Sequence, residues 1–200
     1  VSAPVLTRAG ALAGLLALWA AVTYGNLRLE LMPPAILPTP GAVLAVALEM
    51  ARDGSLWQHL GTSIVRVAQG FGLAAAAALS LGVAAALCLP LRHLLDPAIE
   101  FVRPIPPLAF LPMFLVWFGL GETSKVAFIG YTTFFPMFVA IGASVLRVDM
   151  TLLRAAASLG ATRSDLIRRV VLPAALPGIV VALRLGIGLA LFVIVGAEFM

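Results

Sequence analysis

Residues 71–91 contain no Asp, Glu, Lys or Arg. As an α-helix rising about 1.5 Å per residue, that run crosses a hydrocarbon core of ~30 Å. Four further apolar runs occur: 10–24 after Arg8, 104–120, 126–146, and 170–197, the last interrupted only by Arg184. The first is short and resembles a signal-peptide core. However, no small-residue cleavage site follows cleanly, and Trp19 and Tyr24 suit interface anchors, so it is expected to be a retained span. Run 104–120 is rich in proline and needs neighbours to satisfy its freed carbonyls, which predicts burial in a bundle.

Composition agrees with a bilayer as solvent. Of the 200 residues 62% are hydrophobic and 11% charged, against about 25% charged in soluble domains. The net charge of +4 is distributed by loop, which is a membrane pattern and not a nucleic-acid-binding face. The reading is an all-α, polytopic transmembrane helix bundle. Cys88 is the one cysteine, so the chain can form no internal disulfide and no cysteine metal site.

Between the first two spans, Thr39-Pro40 predicts a helix start, with Thr39 as N-cap and Pro40 at the first helical position. Val43, Leu44, Ala47, Leu48 and Ala51 give that helix one apolar stripe, suited to a membrane interface. Asp53-Gly54 ends it, and a second helix is expected from Ser55 into the second span. With Arg8 on the cytoplasmic side, the cytoplasmic loops also hold Arg92, Arg103, Arg147, Arg154, Arg163, Arg168 and Arg169. The outer loops hold Arg28, Arg52, Arg66 and Lys125 over a longer stretch. This bias predicts a cytoplasmic N-terminus.

The segment RAAASLGATRSDLIRRVVLP, from Arg154 to Pro173, has more order than a topology anchor needs. Residues 151–159 predict a helix, and Gly160 stands where a left-handed glycine ends one. Thr162 and Asp165 have capping-box spacing for a second helix, and Pro173 is expected to turn the chain back into the membrane. Two short helices with a fixed elbow make a rigid knob, able to transmit force to a partner.

This segment resembles the EAA loop of ABC importer permeases: Glu-Ala-Ala, three residues, Gly, nine residues, Ile, one residue, Leu-Pro. Ala155 and Ala156 match the alanines, Gly160 the glycine, Val170 the isoleucine, and Leu172 and Pro173 the end; Arg154 replaces the glutamate. LPTPGAV from Leu37, HLGTSIVRVAQGFG from His59, RPIPPLAFLPMFLVWFGLGETSK from Arg103, VLRVD from Val145 and VVLPAALPGIVVALRLGIGLA from Val170 resemble the nitrate, sulfonate and taurine group.

The resemblance implies a type I ABC importer permease fold over 37–200, preceded by an N-terminal span and outer linker at 1–36. It implies a homodimer in the cytoplasmic membrane whose EAA segments dock into a cytoplasmic ATPase, with a periplasmic or lipoprotein binding protein delivering the solute. No Walker-type phosphate loop occurs, so ATP is expected on the partner and no cofactor on this chain. Five spans from an inside N-terminus leave Met200 outside, whereas the family fold continues with a further span. A missing last helix is therefore expected.

Arg184 lies 14 residues after Val170. At that depth a charge usually faces a bundle interior or a water-filled path, which makes Arg184 a candidate for lining the route of an anionic solute. Glu122 and Lys125 are expected in a short outer loop, available to a binding protein. Glu198 is expected at the interface, and Ser63 and Arg66 in packing and topology. His59 has no second ligand at metal spacing. A secondary transporter is the alternative, but it would need acidic residues inside the spans and none precedes Glu198. A membrane enzyme would need a catalytic cluster within a span, and none is visible.

Overall fold

A computed structural model describes residues 3–198, with side chains from Gly10 to Glu198. The Arg8 side chain and Met200 fall outside the described residues. The order is α1 (Ala3–Leu29), α2 (Pro40–Asp53), α3 (Ser55–Leu87), α4 (Leu89–Val102), a 3₁₀ turn (Pro107–Phe110), α5 (Leu111–Phe118), α6 (Glu122–Leu146), α7 (Met150–Ser158), α8 (Arg163–Asp165), a π-helical turn (Leu166–Val171) and α9 (Leu172–Glu198). No strand occurs among the described residues. The chain divides into two compact units, Val1–Gly61 and Thr62–Met200.

In the first unit, α1 is apolar and long enough to cross a membrane over Gly10–Leu29. Asn26 closes the turn after it: its Nδ2 donates to the Met32 carbonyl and its Oδ1 accepts from the Met32 amide, both at 2.9 Å. Thr39 caps α2 as expected, accepting from the Ala42 amide at 3.2 Å, and Gly54 ends the helix at φ 84°. Val43, Leu44 and Leu48 of the apolar stripe are exposed, as an interfacial helix requires.

The second unit is organised by three long helices. Small residues of α3 at Gly70, Ala74, Ala78, Gly82 and Ala85 are buried. A Cβ on Gly70 would lie 2.8 Å from Ile129 Cγ2 and from the Val126 carbonyl oxygen. One on Gly82 would lie 3.1 Å from the Phe138 carbonyl oxygen. Contacts therefore advance together along both chains, so α3 and α6 run parallel at backbone-to-backbone range, the packing that small residues permit in lipid. On the other side of α6, Gly178 meets Ser144 and Gly186 meets Met137, so α9 runs antiparallel. Phe128, Ile129, Met137 and Ile141 of α6 are fully buried.

Parallel α3 and α6 require the chain between them to return across the bundle. The return is a broken span: Leu89–Val102 and Pro107–Phe118 meet at 88°. Ile99 packs with Ala85, Val145 and Val171 at one end. Phe114 packs with Val67, Phe128 and Ala197 at the other. The Phe114 ring lies 5.7 Å from Phe128 and 5.5 Å from Tyr131, and Phe110 lies 5.0 Å from Tyr131, so aromatic contacts fix α5 to α6.

Four expectations are corrected. Run 104–120 is not one continuous span, because Pro104, Pro106 and Pro107 remove three amide donors within four residues and force the bend. Run 71–91 stops being α3 at Leu87: Cys88 is extended, at φ −124° and ψ 101°, and Pro90 falls in the first turn of α4, which occupies most of the expected 92–103 loop. Glu122 to Lys125 form the first turn of α6 and not a loop. Pro173 does not turn the chain. The π-helical turn, in which the Leu172 amide bonds the Ile167 carbonyl, absorbs it, and one helix continues from Arg163 to Glu198.

The close approach at Gly70 can be tested against Gly72, which is exposed with nothing within 4 Å of a built Cβ. Gly70→Leu should lower stability by about 1–3 kcal/mol, as overpacking does. Gly72→Leu should cost less than about 0.5 kcal/mol. Unfolding in mixed SDS micelles reads both; equal losses would contradict the parallel α3–α6 packing.

Candidate functional site

The segment from Asp149 to Pro173 begins with a cap. Asp149 Oδ1 accepts from the Thr151 amide at 2.8 Å, starting α7. The helix ends in a Schellman arrangement: the Ala161 amide bonds the Ala156 carbonyl at 3.1 Å, and the Gly160 amide bonds the Ala157 carbonyl at 3.0 Å. Gly160 has φ 84°, the left-handed conformation its position predicted. Thr162 and Asp165 form the capping box: Thr162 Oγ1 accepts from the Asp165 amide and the Asp165 carboxylate accepts from the Thr162 amide, each at 3.2 Å.

Arg154, Ala155 and Gly160 are exposed and Ala156 half-buried. Leu159, 89% exposed, stands out beside the elbow, and Met150 and Leu152 are also exposed. Val148, Leu153 and Val171 pack against the core of α3, α6 and α9. The segment is therefore an apolar, small-residue knob tied to the bundle on its inner side. Val170, Leu172 and Pro173 lie where that knob passes through the π-helical turn into α9.

An ion-pair cluster occupies the opposite end of the unit and was not anticipated as a site. Arg66 of α3 binds Glu122 of α6 through both Nε and Nη2. Its Nη1 donates to Glu198 Oε1 of α9 at 2.6 Å. Ser63 donates to the same oxygen at 2.8 Å, and Lys125 Nζ lies 3.6 Å from Glu198 Oε2. One guanidinium thus bridges all three long helices. In the sequence each of these residues lies near an edge of an apolar run on the same expected side, but which of them meet depends on the helix packing.

Arg184 is exposed on α9, one helical turn after Val181. Among the described residues neither it nor Arg154 makes an ion pair. No group of three or more His, Cys, Asp or Glu able to hold a metal occurs among the described residues.

The cap gives a pH test. The Thr151 amide and hydroxyl hold the Asp149 carboxyl below its usual value of 3.8. A depressed folded value means the cap contributes fully above that usual value and is lost as pH falls through the folded one. Protection of the α7 amides, taken relative to the intrinsic exchange rate at each pH, should therefore fall as pH drops below about 3.8. At neutral pH Asp149→Ala should accelerate their exchange about threefold to tenfold, while Asp149→Asn, which keeps the acceptor, stays near the parent. Unchanged exchange in Asp149→Ala would contradict the cap.

Residues 78–200 match the family described as "binding-protein-dependent transport system inner membrane component". The chain is 40% identical to the taurine transport system permease protein of Escherichia coli K12 over 203 aligned positions, covering 99% of this chain and 72% of that one. It is 37% identical over 165 positions to a putative aliphatic sulfonates transport permease of Bacillus subtilis 168, covering 82% of this chain and 60% of that one. A solved amino acid ABC transporter shares the fold, with TM-score 0.55 and 23% identity over 72% of this chain and 74% of that one. The chain belongs to the binding-protein-dependent transport system inner membrane components and is a multi-pass permease subunit of an ABC importer.

Proposed function

We propose that this permease carries a small anion of the sulfonate type, and that α7 with its Gly160 elbow is the element that docks into the ATPase. The observation that carries the docking reading is the exposed, Schellman-ended α7. It offers alanines, a protruding leucine and a left-handed glycine on a short helix anchored by Leu153 and Val171. Small side chains allow close approach to a partner surface, and the anchor converts displacement of α7 into movement of α9.

Two copies of the chain form the pathway in the cytoplasmic membrane, with the N-terminus and α7 on the cytoplasmic side. The end carrying Arg66, Glu122 and Glu198 faces outward, toward the binding protein. The arginine bias supports this orientation. Similarity to taurine and sulfonate permeases and the unpaired Arg184 within an apolar span support an anionic solute. Among the described residues, no Asp or Glu lies inside the long spans between their ends, so the energy comes from the ATPase and ATP binds there.

Gly160 has open space around a built Cβ but a left-handed backbone. Replacement is therefore penalised by conformation, by roughly 1 kcal/mol or more, and not by collision. Gly160→Val should insert normally yet lower transport-coupled ATP hydrolysis at least about tenfold in a reconstituted complex of the full-length protein, with Gly160→Ala intermediate. Arg154→Glu, at an exposed site without an ion pair, should stay within about twofold. Full coupling in Gly160→Val would reduce the segment to a topology anchor.

A further inference from the structure

The side of α6 and α9 that carries Ser144, Gly178 and Val181 holds an open cavity of about 640 Å³. Its walls are mostly apolar, among them Pro136, Val139 and Leu185, but Arg103, Ser144 and Arg147 also line it. Arg103 comes from the bend after α4, and Arg147 caps the C-terminal end of α6, next to α7. Neither arginine makes an ion pair among the described residues, and neither does Arg184. Three arginines of the same unit do pair: Arg66 with Glu122 and Glu198, Arg92 with Asp96 at 3.0 Å, and Arg169 with Asp165 at 3.3 Å. Arg103 and Arg147 are not committed in this way and line the cavity.

Depth separates Arg147 from Arg184. Gly178 opposes Ser144 and Gly186 opposes Met137, so Arg184 is roughly level with Val139. Arg147 lies about 12 Å nearer the α7 end, at 1.5 Å per residue. A guanidinium exposed at Arg184's depth is costly against lipid tails, so its own side of α9 borders water or another protein surface.

We propose that Arg103 and Arg147, with the Ser144 hydroxyl, form an anion-binding site at the α7 end of the pathway, which holds the transported sulfonate or a carboxylate of similar size before release. The inference rests on the reading of an anionic solute and adds a second, inner station to it. A sulfonate offers three acceptor oxygens and a single charge. A pair of guanidinium groups converging on a cavity can donate to two or three of them. The apolar walls receive the short carbon chain. Ser144 now donates to the Ala140 carbonyl at 2.7 Å, which leaves its oxygen lone pairs, or the hydroxyl after rotation, for a zwitterion's ammonium or the anion respectively.

The test is equilibrium binding of radiolabelled ethanesulfonate to the full-length permease–ATPase complex without its binding protein, in nanodiscs of phosphatidylcholine or phosphatidylglycerol. The expected result is saturable binding in both lipids. Arg103→Gln and Arg147→Gln should each weaken it at least about tenfold, the loss of one charge-assisted contact. Arg103→Lys and Arg147→Lys should hold it within about threefold, and Arg92→Gln, paired outside this cavity, should match the parent. ATPase assembly, checked in every variant, separates loss of the site from misfolding. Binding unaffected by both glutamine variants overturns the site. Binding abolished by phosphatidylglycerol alone overturns it in favour of a lipid headgroup. Import of ethanesulfonate with the binding protein present is measured alongside. A complex that imports it but binds none here defeats only this inference, whereas one that imports no sulfonate defeats the anionic-solute reading beneath it.

Discussion

Everything in the second unit depends on how closely α6 can be approached. Its glycine-facing contacts bring the α3 backbone against Val126 and Phe138 on one side, and bring Gly178 and Gly186 of α9 against it on the other. In lipid there is no hydrophobic gain from burying an apolar side chain against another helix, so stability must come from dense van der Waals contact. Small residues make that contact possible. Because α3 and α6 are parallel, the same contact obliges the chain to cross back between them, and the bent α4–α5 pair is the consequence. Just after the bend, Phe110 and Phe114 pack on Tyr131 of α6 and hold the second limb in place.

The two ends of this three-helix core are chemically different. At the Glu122 end, one guanidinium holds α3, α6 and α9 together through two carboxylates. At the Leu146 end, α6 and α9 diverge into α7 and the π-helical turn, joined to the core by Val148, Leu153 and Val171. A movement of α7 therefore acts on α9 through a continuous helix from Arg163 to Glu198. The wider π-helical turn lies where that force would enter.

Much of this was legible in the sequence, because the signals are local. Thr39 before Pro40, Gly160 after three alanines, and Thr162 three residues ahead of Asp165 each specify a cap from neighbours alone. The structure has each as read. Proline was the harder case. Pro173 reads as a stop, yet the π-helical turn just before it, closed by the Leu172 amide on the Ile167 carbonyl, carries the helix through, and such a turn leaves no local sequence signature. Conversely, the run from Pro104 reads as a span of its own, although its prolines leave it only the second limb, Pro107–Phe118, of a right-angled pair with Leu89–Val102. The ion-pair cluster escaped notice because Arg66, Glu122 and Glu198 meet only once parallel and antiparallel packing is known. The partnerless state of Arg103 and Arg147 likewise depends on tertiary placement.

The central claim is that α7 and the Arg66–Glu122–Glu198 cluster lie at opposite ends of one membrane-crossing core. Single cysteines at Ser158 and Thr123, both exposed, test it directly in a Cys88→Ser background of the full-length protein. A membrane-impermeant thiol reagent applied to intact cells should label position 123, and should label position 158 only after the membrane is opened. Labelling of both positions from the same side would contradict α6 as a membrane-crossing helix and, with it, the placement of α7 and the ion-pair cluster at opposite ends.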